Sequence, residues 1–216
     1  MAGKARAPKF QRSTASVRRE ALVDATLQSL KQHGHEGTSI RRISAAAGVS
    51  IGLINHHFAN KSELIAAAYE SLALSLQESL RRQAAAAQGT PRERLVKFLR
   101  ASFMPDILDP SIFSVWLVFW SMVMHVPEMR AVHDRTYRAY RALIEQLLRG
   151  VAESADVPPF KLQPAAIALS ALLDGLWVEL CLSPATFEVE QAILFCEDWL
   201  SALCAGALPG LKAGTP

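Results

Sequence analysis

The sequence predicts an all-α protein of about nine helices. It reads as an N-terminal three-helix unit built around a helix-turn-helix, followed by a C-terminal helical bundle. Three observations lead there. Apolar residues recur every three or four positions through most of the chain, and no run alternates apolar and polar as a strand would. Proline, glycine and small polar residues fall between the periodic stretches, where helices start and stop. And residues 38–64, TSIRRISAAAGVSIGLINHHFANKSEL, spell two short helices around a tight turn and the start of a third.

Composition sets the frame. Of 216 residues, 50% are hydrophobic, enough for a substantial core, and Gly and Pro, at 11 each, are too few for a disordered chain. The net charge of +3 is unevenly placed: residues 1–61 hold ten of the 23 Lys and Arg against Glu20, Asp24 and Glu36 as acids. A basic head on a slightly acidic body suits a polyanion-binding module joined to a neutral one.

Residues 1–15, with Lys4, Arg6, Lys9 and Arg12, read as a basic flexible tail able to reach phosphates or a minor groove. The first helix is expected over residues 16–33, with Val17, Leu22, Ala25, Thr26 and Leu30 inward and Gly34 and Gly37 at its end. Thr38 or Ser39 caps the second, whose apolar face is Ile40, Ile43, Ala46 and Ala47. Gly48 takes the left-handed position that ends it. Ser50 caps the third, Ile51 to Phe58, which is apolar only at Leu53, Ile54 and Phe58 and leaves Asn55, His56 and His57 as an open polar face. A polar helix after a glycine turn suits a major groove.

Asn60, with Glu63 three residues on, opens a long helix to about Ala87. Its Leu64, Ala68, Leu72, Leu76 and Leu80 repeat every four residues, so it leaves the DNA-binding unit and runs into the body. Thr90-Pro91-Arg92-Glu93 is a capping box with proline at the first helical position and starts the next helix. Asp109-Pro110 opens an aromatic helix with Phe113, Trp116, Phe119, Trp120 and Met124. After Pro127, residues 128–150 form a helix whose Arg130, Arg135, Arg138 and Arg141 are a solvated face. Two apolar helices close the chain, about 163–182 and 186–205. Asp174 and Glu179 interrupt the first, which argues for a buried helix over a membrane span.

Several classes drop out. Cys181, Cys196 and Cys204 sit in apolar helical surroundings without CxxC or paired Cys/His spacing, so they read as reduced core thiols of a cytoplasmic protein, with no metal site. No HExxH, GxSxG, P-loop or dinucleotide pattern occurs, so an enzyme is a remote alternative, and no cofactor is expected. A purely architectural DNA binder would not need the large aromatic-rich second half.

Ala47-Gly48-Val49-Ser50-x-Gly52, with Phe58, Lys61, Leu64, Thr38 and Ile43, resembles the signature of the TetR family of transcriptional repressors. Most members carry a tyrosine three residues after that second glycine; here Asn55 stands there. Trp116-Leu117-x-Phe119-Trp120, then His125 and Pro127, and Leu173-Asp174-Gly175-Leu176-Trp177 resemble the choline-responsive, BetI-type members. The resemblance implies a cytoplasmic, homodimeric repressor of amine or betaine metabolism genes, with double-stranded operator DNA and a small-molecule effector as partners. A regulator of another pathway or efflux system with a hydrophobic ligand is the alternative.

The residues expected at DNA are Thr38, Arg41, Arg42, Ser50, Ile51, Gly52, Asn55, His56, His57 and Lys61. Those expected at the effector are Phe113, Trp116, Trp120, Met124, Asp174 and Trp177, since aromatic faces attract a quaternary ammonium and a carboxylate neutralises its charge. Leu169, Leu172, Leu173, Gly175, Leu176, Phe195 and Trp199 are expected at a two-fold dimer seam. Residues 16–62 then form the DNA-binding domain, 63–206 the effector-binding and dimerisation domain, and 207–216 a flexible tail.

Overall fold

The computed structural model describes residues 9–154 and 156–213, and the side chains of residues 15 onward. Among the described residues are nine α-helices: α1 (Lys9–Gly37), α2 (Ile40–Ala47), α3 (Ile51–His57), α4 (Lys61–Ala86), α5 (Pro91–Ala101), α6 (Pro110–Val123), α7 (Pro127–Ala152), α8 (Leu162–Leu182) and α9 (Val189–Cys204). None of them belongs to a strand, and the one isolated bridge pairs Phe160 with Lys212. The all-α expectation holds. Residues 1–8 of the expected basic tail lie outside the described residues, and the chain is already helical from Lys9.

Two compact units make up the chain. The first takes the residues up to Leu72 together with Ser114–His133, and the second takes Ala73–Phe113 with the residues from Asp134 onward.

In the first unit, Gly34 (φ 62°) breaks α1 one turn before its end. Upstream of that break Leu22, Ala25, Thr26 and Leu30 are buried as the periodicity predicts, but Val17 is 64% exposed. Ser39, not Thr38, caps α2, its hydroxyl accepting from the Arg42 N–H. Gly48 (φ 64°) closes α2, its N–H reaching back to the last turn. The Ser50 hydroxyl accepts from the Leu53 N–H and starts α3. Phe58 ends it in extended conformation (φ −140°), with its ring 2% exposed and the Arg19 guanidinium 4.9 Å from the ring centre. At the start of α4 the Asn60 side chain accepts from the Glu63 N–H (2.8 Å), while the Glu63 carboxylate accepts from the Ala59 N–H (2.6 Å). Ile43 of α2, Ile54 of α3, Phe58 at the end of α3, and Leu64, Ile65 and Tyr69 of α4 are all buried.

In the second unit the core is Leu80 and Ala84 of α4, Leu95, Phe98 and Leu99 of α5, Leu143, Ile144 and Leu148 of α7, Leu169 and Leu173 of α8, and Ala192, Cys196 and Leu200 of α9. The Thr90–Glu93 capping box forms as expected: the Thr90 hydroxyl accepts from the Glu93 N–H, and the Glu93 carboxylate accepts from the Thr90 N–H (2.7 Å). The Thr90 N–H and then the Thr90 hydroxyl, both donating to it, hold the Glu93 carboxyl below its ordinary range. Arg100 of α5 bridges Glu190 (3.4 Å) and Glu197 (2.7 Å) of α9, and Arg92 donates to Ser201 (2.8 Å), so polar contacts flank the apolar seam between these helices.

The end of the chain differs from the expected flexible tail at 207–216. After α9, residues Pro209–Leu211 form a 3-10 turn. The Lys161 N–H donates to the Leu211 carbonyl (2.8 Å) and the Ala213 N–H to the Pro159 carbonyl (3.1 Å). The Pro158-Pro159 segment before α8 leaves carbonyls without helical partners, and this stretch supplies one of the donors. Residues 214–216 lie outside the described residues. Burial raises the free thiols Cys181 and Cys204 above their ordinary range and Cys196 to about 12, so none is poised as a thiolate nucleophile.

Candidate nucleic-acid interface and aromatic clusters

The third helix presents its polar face as the sequence implies. Ile54 is fully buried and anchors it, while Ile51 (40% exposed), Gly52, Asn55 and His56 stand on the open side. His57 is half-buried, its ring edge-on to His56 at 5.3 Å. Ser50 is exposed, but its hydroxyl oxygen already accepts the Leu53 N–H, leaving the O–H free to donate outward. A Cβ on Gly52 would meet only the Ser50 hydroxyl, at 3.9 Å. Nothing within the chain demands glycine there, so its use fits a surface that another molecule's backbone approaches closely. A seven-residue helix with an isoleucine, an asparagine and a histidine outward can offer a methyl contact and hydrogen bonds to base edges.

The surrounding polar residues divide. Arg41 and Arg42 are exposed at the start of α2, free to meet phosphates. Thr38 is not: it is 1% exposed, its hydroxyl donates to the Gly34 carbonyl (2.7 Å), and it meets the Ser29 hydroxyl (3.0 Å). The expected Thr38–phosphate contact is therefore corrected. The residue closes the break in α1 because the carbonyl freed at Gly34 needs a donor. Lys61 is half-buried, and its ammonium donates to the His35 carbonyl (3.1 Å). Burial draws its pKa below the ordinary lysine value. Its remaining N–H groups can serve a phosphate only while it also straps α4 to the segment before α2.

The residues expected at an effector fall into two groups, one in each unit. In the first unit Trp116 is 7% exposed, edge-on to Tyr69 (5.5 Å) and to Phe119 (6.0 Å), with Trp120 tilted at 6.1 Å. Trp120 is only half-buried. Met124 does not extend this face. α6 ends at Val123, the turn that follows is closed by bonds from the His125 and Val126 N–H groups to the Met122 carbonyl, and Met124 points to solvent at 68% exposure. In the second unit Trp177 stands edge-on to Phe113 at 5.0 Å, and its indole N–H donates to the Ile107 carbonyl (3.1 Å). Asp174, one turn earlier on α8, accepts from the Tyr137 hydroxyl (2.7 Å). Burial pushes its carboxyl above the ordinary range, partly offset by that hydrogen bond and by Arg141. Sequence reasoning missed Tyr69, Tyr137 and His133, since each meets its partner across dozens of residues and no spacing rule links them.

The seam expected along α8 and α9 needs revision. Leu169 (0% exposed) and Leu173 (3%) are inside the second unit's own core, and Leu172, Leu176 and Trp199 are half-buried against it. The outward row on α8 is Ile167, Ala171 and Gly175, ending at Leu182; on α9 it is Leu194 and Phe195. The four-residue spacing of Ile167, Ala171 and Gly175 was the available signal. Beyond its own stretch of helix backbone, nothing lies within 4 Å of a Cβ built on Gly175.

Residues 22–68 match the family model for bacterial regulatory proteins of the tetR family, and residues 91–205 match that for the C-terminal domain of BetI-type transcriptional repressors. Over 190 residues the chain is 32% identical to the HTH-type transcriptional regulator BetI of Burkholderia thailandensis, covering 88% of this chain and 94% of that one. It is 30% identical to BetI of Paraburkholderia xenovorans over the same share of both. A transcriptional regulator from Pseudomonas aeruginosa PAO1 superposes with a TM-score of 0.82 at 45% identity, over 92% of this chain and 96% of that one. A regulator from Saccharomonospora viridis, solved in complex with choline, shares the fold at a TM-score of 0.71 and 23% identity, over 86% and 96%.

Proposed function

The chain belongs to the TetR family of transcriptional regulators and carries the BetI-type C-terminal domain, and from that premise we propose that it is a cytoplasmic homodimeric repressor whose hold on its operator is released by choline or a related quaternary amine. As a member of that family it is a DNA-binding regulator and not an enzyme. Residues 16–62 are the DNA-binding domain and residues 63–206 the effector-binding and dimerisation domain. Arg41 and Arg42 take phosphates, and Ile51, Asn55 and His56 read bases. The outward rows of α8 and α9 pair about a two-fold axis. Such a dimer sets two reading helices about one DNA turn apart, roughly 34–36 Å, on a pseudo-palindrome. The genes it controls are those of choline and betaine metabolism.

The observation that carries the effector assignment is Trp120, a half-buried indole beside the buried Trp116 in a chain of the BetI type. The face of an indole attracts a quaternary ammonium electrostatically, by up to about 2 kcal/mol when desolvated. The choline complex of the distant S. viridis regulator supports the same ligand class. Phe113 and Trp177, with the Asp174 carboxylate one turn away on α8, are the second candidate set, which could supply both an aromatic face and a negative charge. Calorimetry with choline, betaine aldehyde and glycine betaine tests the assignment. Choline binds the wild type below millimolar and binds Trp120→Ala at least ten-fold more weakly. No binding of any of the three below millimolar moves the effector outside this amine class. Loss in Trp177→Ala but not in Trp120→Ala moves the contact to the second set.

A further inference from the structure

We propose that Tyr69 is a positioning residue for operator binding, acting through the hydrogen bond between its hydroxyl and His133. Tyr69 lies on α4 eight positions after Lys61, a rise of about 12 Å. It is fully buried. Its ring is stacked on Phe119 (centroids 4.7 Å, planes 17° apart) and meets Trp116 edge-on at 5.5 Å. Its hydroxyl lies 2.8 Å from the His133 Nδ1 on α7. A phenol hydroxyl taken out of water needs a partner, whereas phenylalanine would fill the same volume without that need. The bond ties α4 to α7 at a directional contact, which ring stacking by itself does not supply.

The other end of this stretch of α4 is tied to the reading head. Lys61, its first residue, donates to the His35 carbonyl in the broken last turn of α1, and that turn leads directly to the Ser39 cap of α2. Phe58, two residues before the Asn60 cap, is the buried end of α3. A shift of α4 at Tyr69 is therefore carried into both helices of the helix-turn-helix. Trp116 touches Tyr69 on one side and Trp120 on the other, so the same ring receives any displacement at those tryptophans. This last step rests on the assignment of Trp116 and Trp120 to the effector; the positioning of the head does not.

The test uses full-length protein and a labelled operator duplex titrated at several salt concentrations, with helicity and melting recorded for every variant. Tyr69→Phe and His133→Leu each weaken operator binding more than three-fold at full helicity, and the double variant loses no more than either single one. The salt slope stays at the wild-type value, because no phosphate contact is removed. His133→Asn, whose amide can stand where Nδ1 does, stays within three-fold of wild type. A merely structural tyrosine would lower the melting temperature while leaving the affinity of the folded protein unchanged. Operator affinity within three-fold of wild type in both Tyr69→Phe and His133→Leu, or losses that add in the double variant, overturn the proposal. Saturating choline then weakens the operator complex of Tyr69→Phe by a smaller factor than that of the wild type. A wild type that choline does not release overturns the effector assignment and leaves the choline-free titration to decide on Tyr69.

Discussion

Tyr137 donates its hydroxyl to Asp174 across 2.7 Å, and the Arg141 guanidinium sits 5.5 Å from the centre of the same tyrosine ring. The carboxylate nonetheless stays above its ordinary pKa because burial outweighs both of those favourable neighbours. An acid with a raised pKa in the folded state holds a proton that the unfolded chain has already released. Its contribution to stability is thus complete below the unfolded pKa and is lost as pH rises through the folded one. Asp174→Asn removes that loss while the amide oxygen still accepts from Tyr137. From acid to neutral pH the melting temperature of the wild type is expected to fall relative to that of Asp174→Asn, since groups such as Glu93, whose lowered pKa acts in the opposite sense, are common to both. Equal slopes would take Asp174 out of the balance.

Arg41 and Asn55 are expected to separate affinity from specificity. Arg41→Ala removes a phosphate contact, weakens binding to every duplex alike and reduces the salt slope by about one. Asn55→Ala keeps the slope and costs about 1–3 kcal/mol on the true operator only, relaxing preference at the base it reads. Titrations of operator and scrambled duplex at three salt concentrations check both. A changed slope in Asn55→Ala would make it a phosphate residue.

Gly175→Leu is expected to leave the single chain folded, since its Cβ meets nothing within 4 Å beyond its own stretch of helix backbone, and to convert the dimer to a monomer. Glycine inside a helix costs about 1 kcal/mol relative to alanine, so its presence on an outward face needs a reason. Close packing against a second copy supplies one. Sedimentation at micromolar concentration with helicity measured alongside is the check, and a dimer that survives the leucine would place the seam elsewhere.

Thr90→Ala is expected to cost about 1 kcal/mol in denaturant unfolding, the usual loss for a hydroxyl cap, and to leave operator affinity untouched. The Thr90–Glu93 box holds the start of α5, whose Leu95, Phe98 and Leu99 belong to the second unit's core. A loss of operator affinity in the folded variant would mean that α5 bears on the reading head.

The elements legible in the sequence are those written by local rules. Gly48, Ser50, Asn60 and the Thr90–Glu93 box set their helix ends through residues one to four apart, and each appears where the spacing put it. The outward face of α3 followed from the lack of apolar residues beyond Leu53, Ile54 and Phe58. What spacing could not supply was which of several equivalent residues has a partner. Thr38 and Ser39 are equally good caps by type, and only the carbonyl freed at Gly34 sends Thr38 inward. Leu169 and Ile167 look alike on an apolar helix, yet one is core and the other is 47% exposed. Met124 continues the aromatic spacing of α6 by sequence, but the helix stops one residue earlier.

The most direct test of the account is the anisotropy of a labelled duplex, taken from the region upstream of the genes next to this one, titrated with the wild-type dimer at rising choline. The account predicts a salt-sensitive complex whose Kd rises by roughly 5–150-fold at saturating choline, the usual range for coupled sites. A duplex held with the same Kd through millimolar choline would contradict it.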